Sequence, residues 1–221
     1  MKVGTQIFDA IFHKIHNEGY KFIAISVLVT FILLLISKFL GFIGLLITIW
    51  VYYFFRDPDR VSIDDQDYLV SPADGLITQI VETKGPKEFS LENKKFTRVS
   101  IFMSIFKCHV NRSPILASIE DMFYVSGKFL NATLDKASED NERNLIKFKT
   151  NKGDEIIVVQ IAGLIARRIV CECRKSETIQ QGGKIGMIRF GSKVDVYFNN
   201  YKSLVKQNQT TVAGETLIAK K

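Results

Sequence analysis

Residues 22–55 are apolar at nearly every position, interrupted by Lys38 and by Ser26, Thr30, Ser37 and Thr48, and any fold must first find a place for that surface. As one straight helix the run would be about 51 Å long, well beyond a hydrocarbon core of about 30 Å. A single upright helix therefore fits poorly. Division at Ser37-Lys38 yields 22–37 and 39–55, each slightly short of a usual span but able to form a helical hairpin, with Gly41 and Gly44 offering a small-residue surface near the turn. The stretch is too long for a signal peptide, and no small-residue cleavage site follows it. The alternative is a pair of helices buried against the rest of the chain.

Lys14 and Lys21 precede the run, and Arg56 and Arg60 follow it. A hairpin then leaves both ends on the cytoplasmic side of a membrane, under the tendency of basic residues to stay inside. Ile7, Phe8, Ile11, Phe12 and Ile15 recur at helical spacing, which predicts an interfacial amphipathic helix with His13 and His16 at headgroup level. From Arg56 onward the composition is mixed, so the expected division is 1–55, amphipathic and hairpin, and 56–221, a soluble domain.

The net charge is +7; residues 1–60 carry six Lys or Arg against four Asp or Glu, which leaves +5 for the remainder. A moderately basic domain beside a membrane suits an anionic lipid surface or lipid substrate. No basic run is interleaved with a stacking motif, so no nucleic-acid partner is expected. Cys108, Cys171 and Cys173 are odd in number and contain no CxxC, which favours a reducing compartment. The Cys171 and Cys173 thiols would share one strand face without the further ligands a metal needs, and no metal is expected.

Beyond Tyr68 the period is mainly two. Ser192, Val194, Val196 and Phe198 alternate with Lys193, Asp195, Tyr197 and Asn199, so one side of a strand is apolar, the other polar or amphipathic, and Ser192 opens the strand facing inward. Further strands are expected at 76–82, 96–103, 115–125, 145–150, 155–162, 169–173 and 186–190, punctuated by glycine and proline. The fold class is mainly β, a sandwich or barrel-like domain with an N-terminal α-helical membrane segment. Residues 129–143, rich in Asn, Asp, Glu and Lys, read as a long loop or short helix of the kind that forms lids.

His109 is the one histidine after Tyr20, and an Asp74-Gly75 pair lies upstream of it and Ser192 downstream. The order Asp, His, Ser permits a triad, but triads occur in several chain orders, so geometry must decide. Asp195 is a competing carboxylate, turned by parity to the other strand face.

Three local patterns converge: Ser71-Pro72-Ala73-Asp74-Gly75; Phe102-Met103-Ser104 with His109-Val110-Asn111-Arg112-Ser113-Pro114; and Phe190-Gly191-Ser192. With Gln160-Ile161-Ala162-Gly163 and Ala166-Arg167-Arg168-Ile169, they closely resemble phosphatidylserine decarboxylase proenzymes, above all the short, membrane-anchored bacterial form. The resemblance covers nearly the whole chain. It implies a self-processing enzyme in which Ser192 attacks the carbonyl of Gly191, an ester forms and eliminates, and residue 192 becomes a covalent pyruvoyl cofactor. Glycine permits the close approach such a shift needs, while serine supplies both nucleophile and leaving oxygen. His109 would act as base and Asp74 would fix its tautomer.

Further implications are a β chain, 1–191, and an α chain, 192–221, that stay associated. The pyruvoyl carbonyl would condense with the amine of phosphatidylserine, and loss of CO2 would yield phosphatidylethanolamine for phospholipid biosynthesis at the bacterial inner membrane, with the catalytic domain on its cytoplasmic side. Arg112, Arg167, Arg168 and Arg189 are candidate contacts for phosphate or carboxylate. Membrane lipids are expected partners, and a homo-oligomer is compatible with the pattern. Two other classes are weighed: a serine hydrolase, disfavoured because no Gly-x-Ser-x-Gly elbow surrounds Ser192, and a β-rich carrier or adaptor, suggested by the lipoyl-like 212–219 but lacking a modified-lysine hairpin.

Overall fold

The computed structural model describes residues 13–128, 140–163, 168–189 and 192–221. The chain divides into two compact units, Met1–Asp59 and Arg60–Lys221.

In the first unit, helix α1 (Gly19–Ile36) and helix α2 (Lys38–Phe54) are antiparallel partners separated by Ser37. Ser37 is extended (φ −159°, ψ 136°), and its hydroxyl accepts the Phe39 N–H at 3.3 Å, so this residue both ends one helix and caps the next. The helices meet through small side chains. A Cβ on Gly41 would strike Leu34 and one on Gly44 would strike Thr30, whose hydroxyl lies 2.9 Å from that of Thr48. Ile25, Leu28, Phe31 and Leu35 are each more than half exposed, which is unlike the buried-core alternative. By length and composition α1 can cross a membrane, and α2 is one residue shorter.

Residues 1–12, and with them most of the expected amphipathic helix, lie outside the described residues. Ile15 forms a bridge with Arg56 instead of extending a helix. His16 corrects the headgroup-level expectation, being only 3% exposed with Nδ1 accepting the Glu18 N–H at 3.2 Å.

The second unit is built of strands β1 (Tyr68–Val70), β2 (Gly75–Lys84), β3 (Lys95–Met103), β4 (Val110–Arg112), β5 (Ala117–Val125), β6 (Arg143–Lys149), β7 (Glu155–Ala162), β8 (Arg168–Cys171), β9 (Thr178–Ile179), β10 (Lys184–Arg189), β11 (Ser192–Phe198), β12 (Lys202–Ser203), β13 (Thr210–Thr211) and β14 (Leu217–Lys220). An eight-stranded antiparallel sheet runs β13-β2-β3-β11-β7-β6-β5-β9 and curls into a half barrel, beside two three-stranded sheets, β1-β14-β12 and β4-β10-β8. The mainly β expectation holds. The expected strand at 169–173 stops at Cys171, and Cys173 is buried beyond it with the two sulfurs 3.5 Å apart. The hydrogen bond from Cys173 holds the Cys171 thiol below the ordinary thiol range. Of the loop expected at 129–143, residues 129–139 lie outside the described residues, and Arg143 opens β6.

β11 sits between β3 and β7 with every residue in register on both sides, Val194 opposite Ile101 and Gln160, Val196 opposite Val99 and Val158. Its Ser192, Val194, Val196 and Phe198 side enters the main core with Ile77, Val99, Ile101 and Phe148. The other side is not solvated as the alternation suggested: Lys193 and Asp195 are each 2% exposed. The cause is crowding by side chains of the flanking strands: a second apolar cluster of Phe96, Leu145, Ile157, Val159 and Ile161 forms on that side. Lys193 Nζ approaches Asp195 at 3.6 Å and Arg98 at 4.0 Å shares the same carboxylate oxygen. Phe198 is fully buried, so Phe198→Ala is expected to lower the unfolding free energy by about 3–5 kcal/mol in denaturant titration.

Candidate active site

Register places several strand ends together at one end of the large sheet. Ser192 opens β11 opposite Met103, the last residue of β3, and Ala162, the last of β7; Arg143 opens β6 opposite Ile161; Leu76, near the start of β2, faces Phe102. Asp74 immediately precedes β2. His109 immediately precedes β4, which pairs with β10 through Met187↔Val110, and the His109 carbonyl accepts the Ile188 N–H at 3.3 Å. β10 ends at Arg189 in a small sheet and β11 begins at Ser192 in the large one, so the chain changes sheets across 190–191. Phe190 and Gly191 lie outside the described residues.

Ser192 is 0% exposed, and its hydroxyl donates to the thioether of Met103 at 3.5 Å. A thioether is a weak acceptor, so the proton is held loosely in a site closed to solvent. The sequence predicted the inward direction of Ser192 but not its sulfur partner.

His109 is also 0% exposed, with Nδ1 2.9 Å from the carbonyl oxygen of Lys107. A carbonyl only accepts, so Nδ1 carries the proton and Nε2 keeps the lone pair. That is the tautomer a general base requires. The main chain of Lys107, two residues away, fixes it, in place of the carboxylate expected from the sequence.

The Asp74 carboxylate is engaged elsewhere. One oxygen accepts from Arg60 at 2.9 Å and the other accepts the Ala213 N–H at 2.7 Å, and the structure does not pair it with His109. Asp74 therefore joins two distant parts of the domain, and Arg60, read from sequence only as a membrane-flanking charge, is its ion partner. Gly75 is needed for close approach, because a Cβ there would collide with the Phe102 carbonyl on the neighbouring strand. The Asp-Gly pair thus marks a packed strand start as well as a turn.

Behind Ser192 runs a polar chain that sequence reasoning missed. Asn144 on β6 donates to Gln160 on β7 at 2.9 Å, Gln160 donates to Asn111 on β4 at 2.8 Å, and Asn111 donates to the same Met103 sulfur at 3.6 Å. All three amides are buried. A signal was available: Gln160 shares the inward parity of Ile156, Val158 and Ala162 on an otherwise apolar strand. Asn141 Nδ2 donates to the carbonyl of Ala162, the residue opposite Ser192, at 2.9 Å.

Of the four arginines expected near a phosphate, Arg112 is buried and donates to the Gly182 carbonyl at 2.9 Å, Arg189 is buried, Arg168 is exposed, and Arg167 lies outside the described residues. A cavity of about 280 Å³ lined by Arg98, Arg143, Asp195 and Tyr197 lies on the opposite face of the sheet from Ser192.

A family model described as phosphatidylserine decarboxylase matches residues 47–219. A phosphatidylserine decarboxylase proenzyme of Pelagibacter ubique is 63% identical over 215 residues, 97% of this chain and 100% of that protein. Proenzymes of the same description from Ruegeria pomeroyi and Rickettsia typhi are each 48% identical, covering 96% of this chain and 97% and 92% of their own lengths.

Proposed function

This chain belongs to the phosphatidylserine decarboxylase family, and we propose that it is made as one precursor, cuts itself between Gly191 and Ser192, and then converts phosphatidylserine to phosphatidylethanolamine with a pyruvoyl group derived from Ser192. The observation that carries this reading is Ser192 itself. Its hydroxyl is sealed from solvent at the first residue of a strand clamped on both sides. A serine so placed is well positioned to meet the carbonyl of its own preceding residue, which is tethered to it, and the absence of a Gly-x-Ser-x-Gly elbow disfavours the hydrolase alternative.

In the processing sequence His109 Nε2 takes the Ser192 hydroxyl proton as Oγ bonds to the Gly191 carbonyl carbon. The Gly191–Ser192 C–N bond breaks, the nitrogen takes a proton, and an ester joins Gly191 to Oγ. Loss of the Cα proton and of the Cβ–Oγ bond releases the Gly191 carboxylate and leaves a dehydroalanine, which adds water and loses ammonia to become the pyruvoyl group. The surroundings suit a small carbonyl group: Met103 and Ala162 lie opposite residue 192, and both are buried.

The pyruvoyl group supplies a carbonyl that takes up the substrate amine and draws electrons from the carbon that loses CO2. The chain's own residues hold the N-terminal end of β11 in place and return a proton to the product, a role that falls to His109 in this reading. Asp74 acts by position, tying the start of β2 to Ala213 on the α chain, so the two fragments stay joined at the site after cleavage. β11 paired to β3 and β7, and β14 paired to β1, add further joins between them. The exposed apolar faces of α1 and α2 support a membrane anchor that brings the domain to its lipid, with the catalytic unit on the cytoplasmic side.

The test is release of labelled CO2 from vesicles containing carboxyl-labelled phosphatidylserine. The purified chain should release it and leave the ethanolamine lipid with both acyl chains. Liberation of fatty acid without CO2 would assign the site to hydrolysis instead.

A further inference from the structure

We propose that Asn111 stabilises the oxygen that leaves Ser192 during self-processing, which makes it a residue of the elimination step. The inference rests on the self-cleavage proposed above and assigns one of its steps to a side chain.

Asn111 is fully buried, and its orientation is fixed from behind. Gln160 Nε2 donates to its Oδ1 at 2.8 Å, and Gln160 is itself oriented by Asn144 at 2.9 Å. With the oxygen end of the amide so held, the NH2 end must point the other way. Among the described residues the only acceptor it reaches is the Met103 sulfur, at 3.6 Å, which is the atom that also receives the Ser192 hydroxyl, at 3.5 Å. A strong donor is thus aimed at a weak acceptor in a site closed to solvent, on the same sulfur that receives the oxygen whose charge changes most in the proposed reaction.

That mismatch is what differential stabilisation requires. Before reaction the amide gains little from the thioether. In the elimination a base takes the Cα proton of residue 192, the C–H electron pair becomes the Cα=Cβ bond, and the Cβ–Oγ bond breaks with its pair on Oγ. Oγ is then an oxygen of the Gly191 carboxylate and a far better acceptor for the waiting N–H. A donor preorganised for charge that appears only as the bond breaks lowers that barrier without stabilising the starting state. All three amides stand on paired strands, so the donor has only to turn from the shared sulfur to the departing oxygen.

The experiment uses the full-length protein with Asn111→Leu. Fragment formation is followed in time, and the uncut fraction is unfolded in guanidinium and treated with neutral hydroxylamine, which splits an ester but not a peptide bond. The expected result is fragment formation slowed by about 100-fold or more, with accumulated precursor that hydroxylamine divides at 191–192 to expose an N-terminal serine. Asn111→Ser, which keeps a donor, should recover part of the rate. Processing at the parental rate would overturn the proposal, and so would a stalled precursor that resists hydroxylamine, because the block would then precede the ester. If Asn111→Leu lacks a cooperative melt, the same readouts are taken on Gln160→Met, which keeps Asn111 but removes the group that aims it; ester should again accumulate, and an unchanged rate overturns the idea. Failure of self-cleavage itself would look different, since the parent chain would then yield no fragments at all.

Discussion

Ser192→Ala should leave the chain whole at 25.2 kDa and without decarboxylase activity, however long it is incubated. The effect is all-or-none because the proposed processing gives one atom two roles: Oγ would be both the nucleophile that opens the Gly191–Ser192 peptide and the leaving oxygen of the elimination. Alanine provides neither. Fold stability should barely change, since the lost interaction is a hydroxyl donating to a sulfur and the methyl group that remains fits an apolar site. The comparison is therefore clean, with a cooperative melt like that of the parent but a single band in a denaturing gel. Ser192→Cys retains a nucleophile and should cut to a measurable extent. A Ser192→Ala chain that still separates into two fragments would show the cut to lie elsewhere or to come from a contaminating protease.

His109→Ala is expected to slow self-cleavage by about 100- to 10,000-fold, the usual contribution of a general base. The structural argument is the tautomer: the Lys107 carbonyl holds the proton on Nδ1, so Nε2 is the nitrogen that carries the lone pair. The stalled protein should differ from Asn111→Leu in a decisive way. Without a base the first proton is not removed, so no ester forms, and hydroxylamine after unfolding should leave the chain intact. Accumulation of ester in His109→Ala would move the histidine to the later step, and processing at the parental rate would remove it from both. A second comparison isolates Asp74: because its carboxylate is paired with Arg60 and Ala213, Asp74→Asn should loosen the fragments from each other more than it alters the basicity of His109.

What could be read in advance depended on whether the signal was local. The break between α1 and α2 was visible because Ser37-Lys38 is the one adjacent polar pair in a long apolar run. The inward direction of Ser192 followed from the two-residue period of β11, which survives in the structure because its neighbours on β3 and β7 are in unbroken register. The burial of Lys193 and Asp195 was not legible: it depends on which side chains of the neighbouring strands crowd that face, and those strands pair through residues far away in sequence. The partners of Asp74 were hidden too, Arg60 because it lies 14 residues upstream across an irregular stretch and Ala213 because it lies 139 residues downstream of Asp74. β4 was missed because three residues are too few to show a period, although Asn111 at its centre anchors the polar chain behind Ser192. The motifs thus named the groups proposed to react, while the residues that surround them were supplied by strands brought together only on folding.

The central claim is that a serine of this chain rewrites its own backbone into a carbonyl cofactor, and intact mass analysis of the purified protein is its most direct test. The predicted result is two polypeptides, the smaller beginning at position 192 without a free amino group and gaining two hydrogens on treatment with borohydride. A single uncut chain that retains the Ser192 hydroxyl and still converts phosphatidylserine would contradict it.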